Sequence, residues 1–173
     1  EGIRRGVATA EATVLVRDLC NHPANVMTPT RIVREAKAVA KESGVRLKVL
    51  EQKDMEQLGM GALLGVARGS HEPPKFIILE YKGAKAKKGD PPVVLVGKTI
   101  TFDTGGISLK LAENMEHLKV DMTAGAEVLA PRPTAPRLGL PLPVARILPV
   151  AEKIPGGIAM GPGNWSTLRR PRC

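Results

Sequence analysis

Phe76-Ile77-Ile78-Leu79-Glu80-Tyr81 and Val93-Val94-Leu95-Val96, separated by the basic, glycine-bearing loop Lys82 to Asp90, decide the fold. Short apolar runs bounded by turn signals read as strands, and their lack of alternation places both inside a sheet. Helical signals precede them. Ala8, Ala12, Leu15, Val16 and Leu19 recur at three- and four-residue spacing until Asn21-His22-Pro23 stops the stripe. Thr28 followed by Pro29 gives an N-cap with proline at the first helical position, and the run Arg31 to Glu42 closes at Ser43-Gly44. Val45, Leu47 and Val49 then alternate with polar residues as a half-buried strand, and Leu142 to Val150 reads as another. Helices interleaved with apolar strands predict an α/β fold: a mixed, mostly parallel central sheet flanked by helices. The segment after Asp121 starts as a helix through Ala124, Val128 and Leu129, but Pro131, Pro133 and Pro136 forbid its continuation.

The chain has 173 residues, 43% of them apolar and 25% charged. That length fits one domain or a fragment of a larger unit. No apolar run approaches the roughly 20 residues that cross a bilayer, and Glu1 to Gly6 lack a signal-peptide pattern. A soluble, cytoplasmic protein without membrane partners is the expectation. Cys20 and Cys173 make neither a disulfide framework nor a metal knuckle and are read as free thiols. The net charge of +9 would attract phosphates loosely, yet aromatic residues are only 2% of the chain, too few for base stacking. Nucleic acid is therefore not an expected partner. Much of the excess charge lies in residues 131–173, which hold seven Lys/Arg against one acid.

The densest chemistry is Gly97-Lys98-Thr99-Ile100-Thr101-Phe102-Asp103-Thr104-Gly105-Gly106-Ile107-Ser108-Leu109-Lys110, placed at the end of an apolar strand, where α/β sheets collect their sites. Gly97-Lys98-Thr99 imitates the end of a phosphate-binding P-loop, but that loop needs a glycine where Pro92 stands. What remains is two lysines and a carboxylate on a glycine-rich turn, with a second carboxylate at Asp121. From chemistry alone two readings stand. The carboxylates are metal ligands or acid/base groups, or Asp103 caps a turn, Asp121 caps the next helix and the lysines are solvated. His22, His71 and His117 have no helical pairing for a metal, and Ser43 and Ser108 lack His-Asp partners at nucleophile spacing.

Val94 to Thr123, reading VLVGKTITFDTGGISLKLAENMEHLKVDMT, resembles the metal-binding signature of the leucyl aminopeptidase (cytosol aminopeptidase) family of metallopeptidases. Asn21 to Pro29, Gly61 to Pro74, Leu138 to Pro141 and Pro149 to Gly157 resemble further family segments in register. The resemblance implies the first half of an aminopeptidase catalytic domain, over residues 1–163, with 164–173 an aberrant or unstructured tail. It implies hydrolysis that releases N-terminal amino acids with a leucine-type preference, from peptides with a free N-terminus. It implies two divalent metal ions, zinc or manganese with magnesium as a further option, and a homo-hexamer for the full-length family. Carried over by position, Lys98, Asp103 and Asp121 resemble metal ligands, with Asp103 bridging, and Lys110 resembles the catalytic lysine. Such a lysine stays positive and stabilises the oxyanion that develops on the substrate carbonyl. Lys98 ligates only as a neutral amine. Met115 and Leu118 are candidates to line a pocket for an apolar substrate side chain, with core packing as the alternative.

Departures from the family pattern qualify the expected activity. The family's Asn-Thr-Asp-Ala-Glu-Gly-Arg run, which carries further ligands and the catalytic arginine, has no counterpart here. Thr99 stands where the family usually has glycine, predicting a tight backbone beside Lys98, and Leu111 stands where it has proline. Ala130 to Arg137 is proline-bearing where the family has an alanine-rich helix. The expectation is a catalytically incomplete chain, exposed to aggregation when isolated; the alternative is a non-catalytic remnant that packs into an oligomer.

Overall fold

In the computed structural model, residues 1–87, 89–130 and 139–164 are described. The proline run at 131–136, Leu138 and the tail from Trp165 to Cys173 lie outside them.

Helix α1 (Gly2–Asn21) extends the predicted stripe at both ends and buries Ala8, Leu15 and Leu19. Helix α2 (Pro29–Ser43) has the predicted ends: the Thr28 hydroxyl accepts a hydrogen bond from the Arg31 N–H, and Gly44 closes the helix with φ 65°. Strand β1 (Arg46–Leu50) follows directly. Two short helices come next, α3 (Gln52–Gln57), started by a capping box between Glu51 and Asp54, and α4 (Gly61–Ala67). Strands β2 (Lys75–Tyr81), β3 (Val93–Val96) and β4 (Thr99–Asp103) lead to a short 3₁₀ helix at Met115–Val120, then α5 (Thr123–Leu129) and β5 (Val144–Lys153).

The sheet order is β1-β2-β5-β3, with β4 also pairing β5. β1/β2 and β2/β5 are antiparallel, while β3 and β4 run parallel to β5. Two successive reversals return β1 to the direction of β5, so four of the five strands point one way and β2 alone opposes them. The mixed, mostly parallel sheet flanked by helices is present.

β3 and β4 form one line along the edge of β5. Val93 pairs with Val144 and Ile100 with Ala151, both at an offset of 51, so register passes unbroken across Gly97-Lys98. Between Ile100 and Asp103 it slips, and Asp103 sits opposite Lys153 at an offset of 50. A bulge of this kind re-aims the side chains beyond it.

Side chains alternate cleanly along β5. Leu148 and Val150 join Ile77 and Leu79 of β2 in the main core, under α1, α2 and α5, where Ile32, Ala36, Val39, Met122 and Leu129 are also buried. Ala151 faces the other way and packs with Ile100, Ala67 and Leu63, under α4. Both faces are thus covered, as a parallel-rich sheet requires.

One expectation changes. β2 is interior, but β3 is an edge strand, with Val93, Val94, Leu95 and Val96 all exposed. An apolar run without alternation reads as interior because it is dressed for burial on both faces; among the described residues α5 approaches this one without burying its side chains. Such an edge is prone to pair with other chains.

Candidate metal centre

The site lies along β4 and the loop that follows it. Beyond the bulge, Asp103 is buried, and its Oδ1 accepts a hydrogen bond of 2.9 Å from the Gly105 N–H. Gly105 (φ 93°) and Gly106 (φ 73°) take the left-handed region that glycine tolerates, and the turn closes where the Lys110 N–H donates to the Thr104 carbonyl at 2.9 Å. A Cβ on Gly105 would stand 2.3 Å from the Ser108 carbonyl oxygen, so the turn has no room for one. This geometry carries Lys110 back to Asp103, with Nζ 3.0 Å from Oδ2.

The second pair forms nearby on the chain. The Asp121 carbonyl accepts from the Ile100 N–H at 3.3 Å, tying the end of the 3₁₀ helix to β4. Lys98 Nζ stands 2.7 Å from both Asp121 oxygens. Only Oδ1 lies at a hydrogen-bonding angle to it; Oδ2 is buried and has no hydrogen-bond donor. The Lys98 ammonium meets the charge of that oxygen as an ion pair without a hydrogen bond to it. The donor set, hard carboxylate oxygens beside an amine, suits a divalent ion such as manganese or magnesium.

The structural alternative left open by the sequence is met only in part. Asp103 does brace a turn, but Asp121 does not cap the next helix: α5 has Met122 at its N-cap and no side-chain cap bond. Lys98 and Lys110 are each paired with a carboxylate instead of being merely solvated. Burial by itself would raise the Asp103 pKa, but the Lys110 hydrogen bond, the Gly105 N–H and the charges of Lys153 and Lys110 together outweigh it and hold the carboxyl below its ordinary value. Met115 and Leu118 are half-buried on the 3₁₀ helix. The depression on that side is lined by Pro23, Ala24, Phe102, Glu116, His117 and Lys119.

Thr99 does not strain the backbone. Asn114 is the non-glycine residue with positive φ among the described residues. The Thr99 side chain is buried against Gly125, and its hydroxyl donates to the Gly97 carbonyl at 2.9 Å.

Sequence reasoning missed Lys153. At the end of β5 it is the cross-strand partner of Asp103, its Nζ 3.7 Å from Oδ1. Its only signal was the family segment Pro149 to Gly157, which places residues without saying what they face.

Among the described residues no group of three or more His, Cys, Asp or Glu side chains could hold a metal ion. Residues 14–170 match the family described as "Cytosol aminopeptidase family, catalytic domain". The chain belongs to this family. A "Probable cytosol aminopeptidase" of Azoarcus sp. (strain BH72) is 52% identical over 165 residues, covering 95% of this chain and 33% of that protein. One from Nitrosococcus oceani is 50% identical over 168 residues, covering 96% and 33%. Among solved structures, "Bottromycin maturation enzyme BotP in complex with Mn" superposes with a TM-score of 0.87 at 41% identity, over 95% of this chain and 35% of that one. The chain spans about a third of the length of the curated relatives it matches. No helix among the described residues is long and apolar enough to cross a membrane.

Proposed function

We propose that residues Lys98, Asp103, Asp121 and Lys110 are this chain's share of a two-metal aminopeptidase centre that removes N-terminal residues, with a leucine-type preference, from peptides with a free N-terminus. The carrying observation is that each carboxylate is held against a lysine, Asp121 by Lys98 and Asp103 by Lys110, with Asp103 braced by the Gly105 N–H at the end of β4. Asp103 and Asp121 would hold the divalent ions, zinc or manganese with magnesium as a further option, and Lys98 would complete one of them as a neutral amine. When bound, such ions activate water and polarise the scissile carbonyl. Lys110, half-exposed and anchored by the closed turn, then turns its ammonium from Asp103 to the oxyanion. Met115 and Leu118 would border the site for the substrate's apolar side chain. On this reading further ligands would have to join these residues, and the chain by itself is catalytically incomplete. Cytoplasmic placement and a hexameric assembly belong to the same reading of the whole protein.

The exposed β3 edge favours a second reading, a non-catalytic subunit that packs into an oligomer through this strand.

Grafting residues 94–123 of this chain into the Azoarcus relative, in place of the matching segment, separates the two. The graft is expected to hydrolyse a leucine-derived chromogenic amide with added manganese and to ignore the N-acetylated substrate. Asp103→Ala in the graft should lower turnover by at least about a hundredfold. A graft that is folded but inactive, or whose turnover is indifferent to Asp103→Ala, would contradict the first reading.

A further inference from the structure

Lys153 lies outside the residues that the metallopeptidase reading uses, yet it is built into the site. The one-residue slip at the end of β4 sets it directly opposite Asp103. Parallel neighbours at a matched position share a face of the sheet, so an opposite charge there interacts across the strands. The strand ends are locked at this point, because both the N–H and the hydroxyl of Thr104 donate to the Lys153 carbonyl, at 2.9 and 3.2 Å. Its side chain runs across Gly106, with Cε 3.7 Å from where a Cβ on that glycine would lie. The same stem borders a cavity formed with Gly65, Val66, Ile154, Ala159 and Met160.

Charge decides what this placement does. Asp103 carries one negative charge and is approached by two ammonium groups, Lys110 at 3.0 Å and Lys153 at 3.7 Å. Two ammonium groups thus face one carboxylate, and the balance at Asp103 is one positive charge. A divalent cation arriving at Asp103 meets a carboxylate that is already neutralised.

We propose that Lys153 is a built-in counter-cation of Asp103, which a divalent ion has to displace, and that it weakens metal loading of this site. The inference rests on the reading of Asp103 as a metal ligand. On loading, the Lys153 ammonium leaves Oδ1, and the adjoining cavity gives the side chain room to swing. No proton has to move, because the ammonium departs charged.

The test is calorimetric titration of the chain with manganese alone, at low ionic strength, for the unaltered chain and for Lys153→Gln, Lys153→Arg and Asp103→Ala. Removing the charge is expected to tighten manganese binding roughly tenfold. Lys153→Arg keeps the charge and should bind as weakly as the unaltered chain; a merely structural role would not separate Gln from Arg in this way. The gain should shrink as salt is added and vanish when Asp103→Ala is combined with Lys153→Gln. Equal or weaker binding in Lys153→Gln, an equal gain in Lys153→Arg, or no measurable manganese binding in any variant overturns the proposal. If Asp103→Ala abolishes binding while Lys153→Gln changes nothing, only the counter-cation is lost. If Asp103→Ala leaves binding unchanged, the metal reading of Asp103 fails with it.

Discussion

Gly97→Ala is expected to lower the stability of the chain by about 3 kcal/mol, measured by urea unfolding. A Cβ at Gly97 would stand 2.4 Å from the Ala124 carbonyl oxygen and 2.7 Å from the Gly125 Cα. Both are backbone atoms of α5, so no rotamer change relieves the contact. Either α5 lifts from the sheet, or the hydrogen bonds Gly97 N–H to Ile147 carbonyl and Gly125 N–H to Lys98 carbonyl, at 2.9 and 2.8 Å, are stretched. Gly125→Ala behaves differently. Its Cβ would meet Thr99 Oγ1 at 2.0 Å and Thr99 Cβ and Cγ2 at 2.8 Å, all atoms of one side chain. Ala is the better helix former by about 1 kcal/mol, but that does not offset an overlap of this size. Adding Thr99→Gly should therefore recover part of the loss from Gly125→Ala and none from Gly97→Ala. A double-mutant cycle is expected to return a coupling of about 1 kcal/mol or more for Thr99 with Gly125; additive losses would show that the helix is seated some other way.

Leu129→Ala should cost about 3 kcal/mol. Leu129 is fully buried at the end of α5 and belongs to the core cluster shared with Met122, Ile77, Leu148 and Val150. Seven residues are too few for a helix to hold by its own hydrogen bonds, so packing fixes α5. The cavity left by truncation removes that packing, while Arg146, which donates to the Leu129 carbonyl at 3.3 Å, keeps its backbone partner. Because α5 begins two residues after Asp121, looser packing should also raise amide exchange from Asp121 to Thr123. Unchanged stability would mean that α5 is held by the β4 loop alone.

How much of this was legible in the sequence depends on whether the signal was local. α2 was readable at both ends because Thr28, Pro29 and Gly44 each act within one turn. β2 and β3 were readable from their apolar runs, and the strand predicted at Leu142 to Val150 is found as Val144–Lys153. α3 and α4 were not predicted as elements: six and seven residues are too short for a helical period to stand out, and α4 contains two glycines. β4 was hidden because Thr99-Ile100-Thr101-Phe102-Asp103 follows Gly97-Lys98 and looks like the start of a loop; only pairing with β5 makes it a strand.

The candidate site divides in the same way. The turn at Gly105-Gly106 could be read from residue type, and Lys98, Asp103, Lys110 and Asp121 from the family resemblance. That Lys98 meets Asp121, 23 positions on, and that Lys110 returns to Asp103 could not be read from spacing. Lys153 was invisible because its meaning lies in a parallel pairing across 50 positions, offset by a bulge that no local pattern marks. The edge position of β3 was misread for a related reason. Composition reports that a strand is dressed for burial, but it does not say which segment supplies the cover.

The most direct test of the central claim is manganese binding by the chain, read from the loss of the free-ion electron paramagnetic resonance signal. The account predicts that Asp103→Ala and Asp121→Ala each weaken binding by at least about tenfold while far-ultraviolet circular dichroism stays unchanged. Binding that survives both substitutions undiminished would contradict it, and would make the two carboxylates parts of the scaffold only.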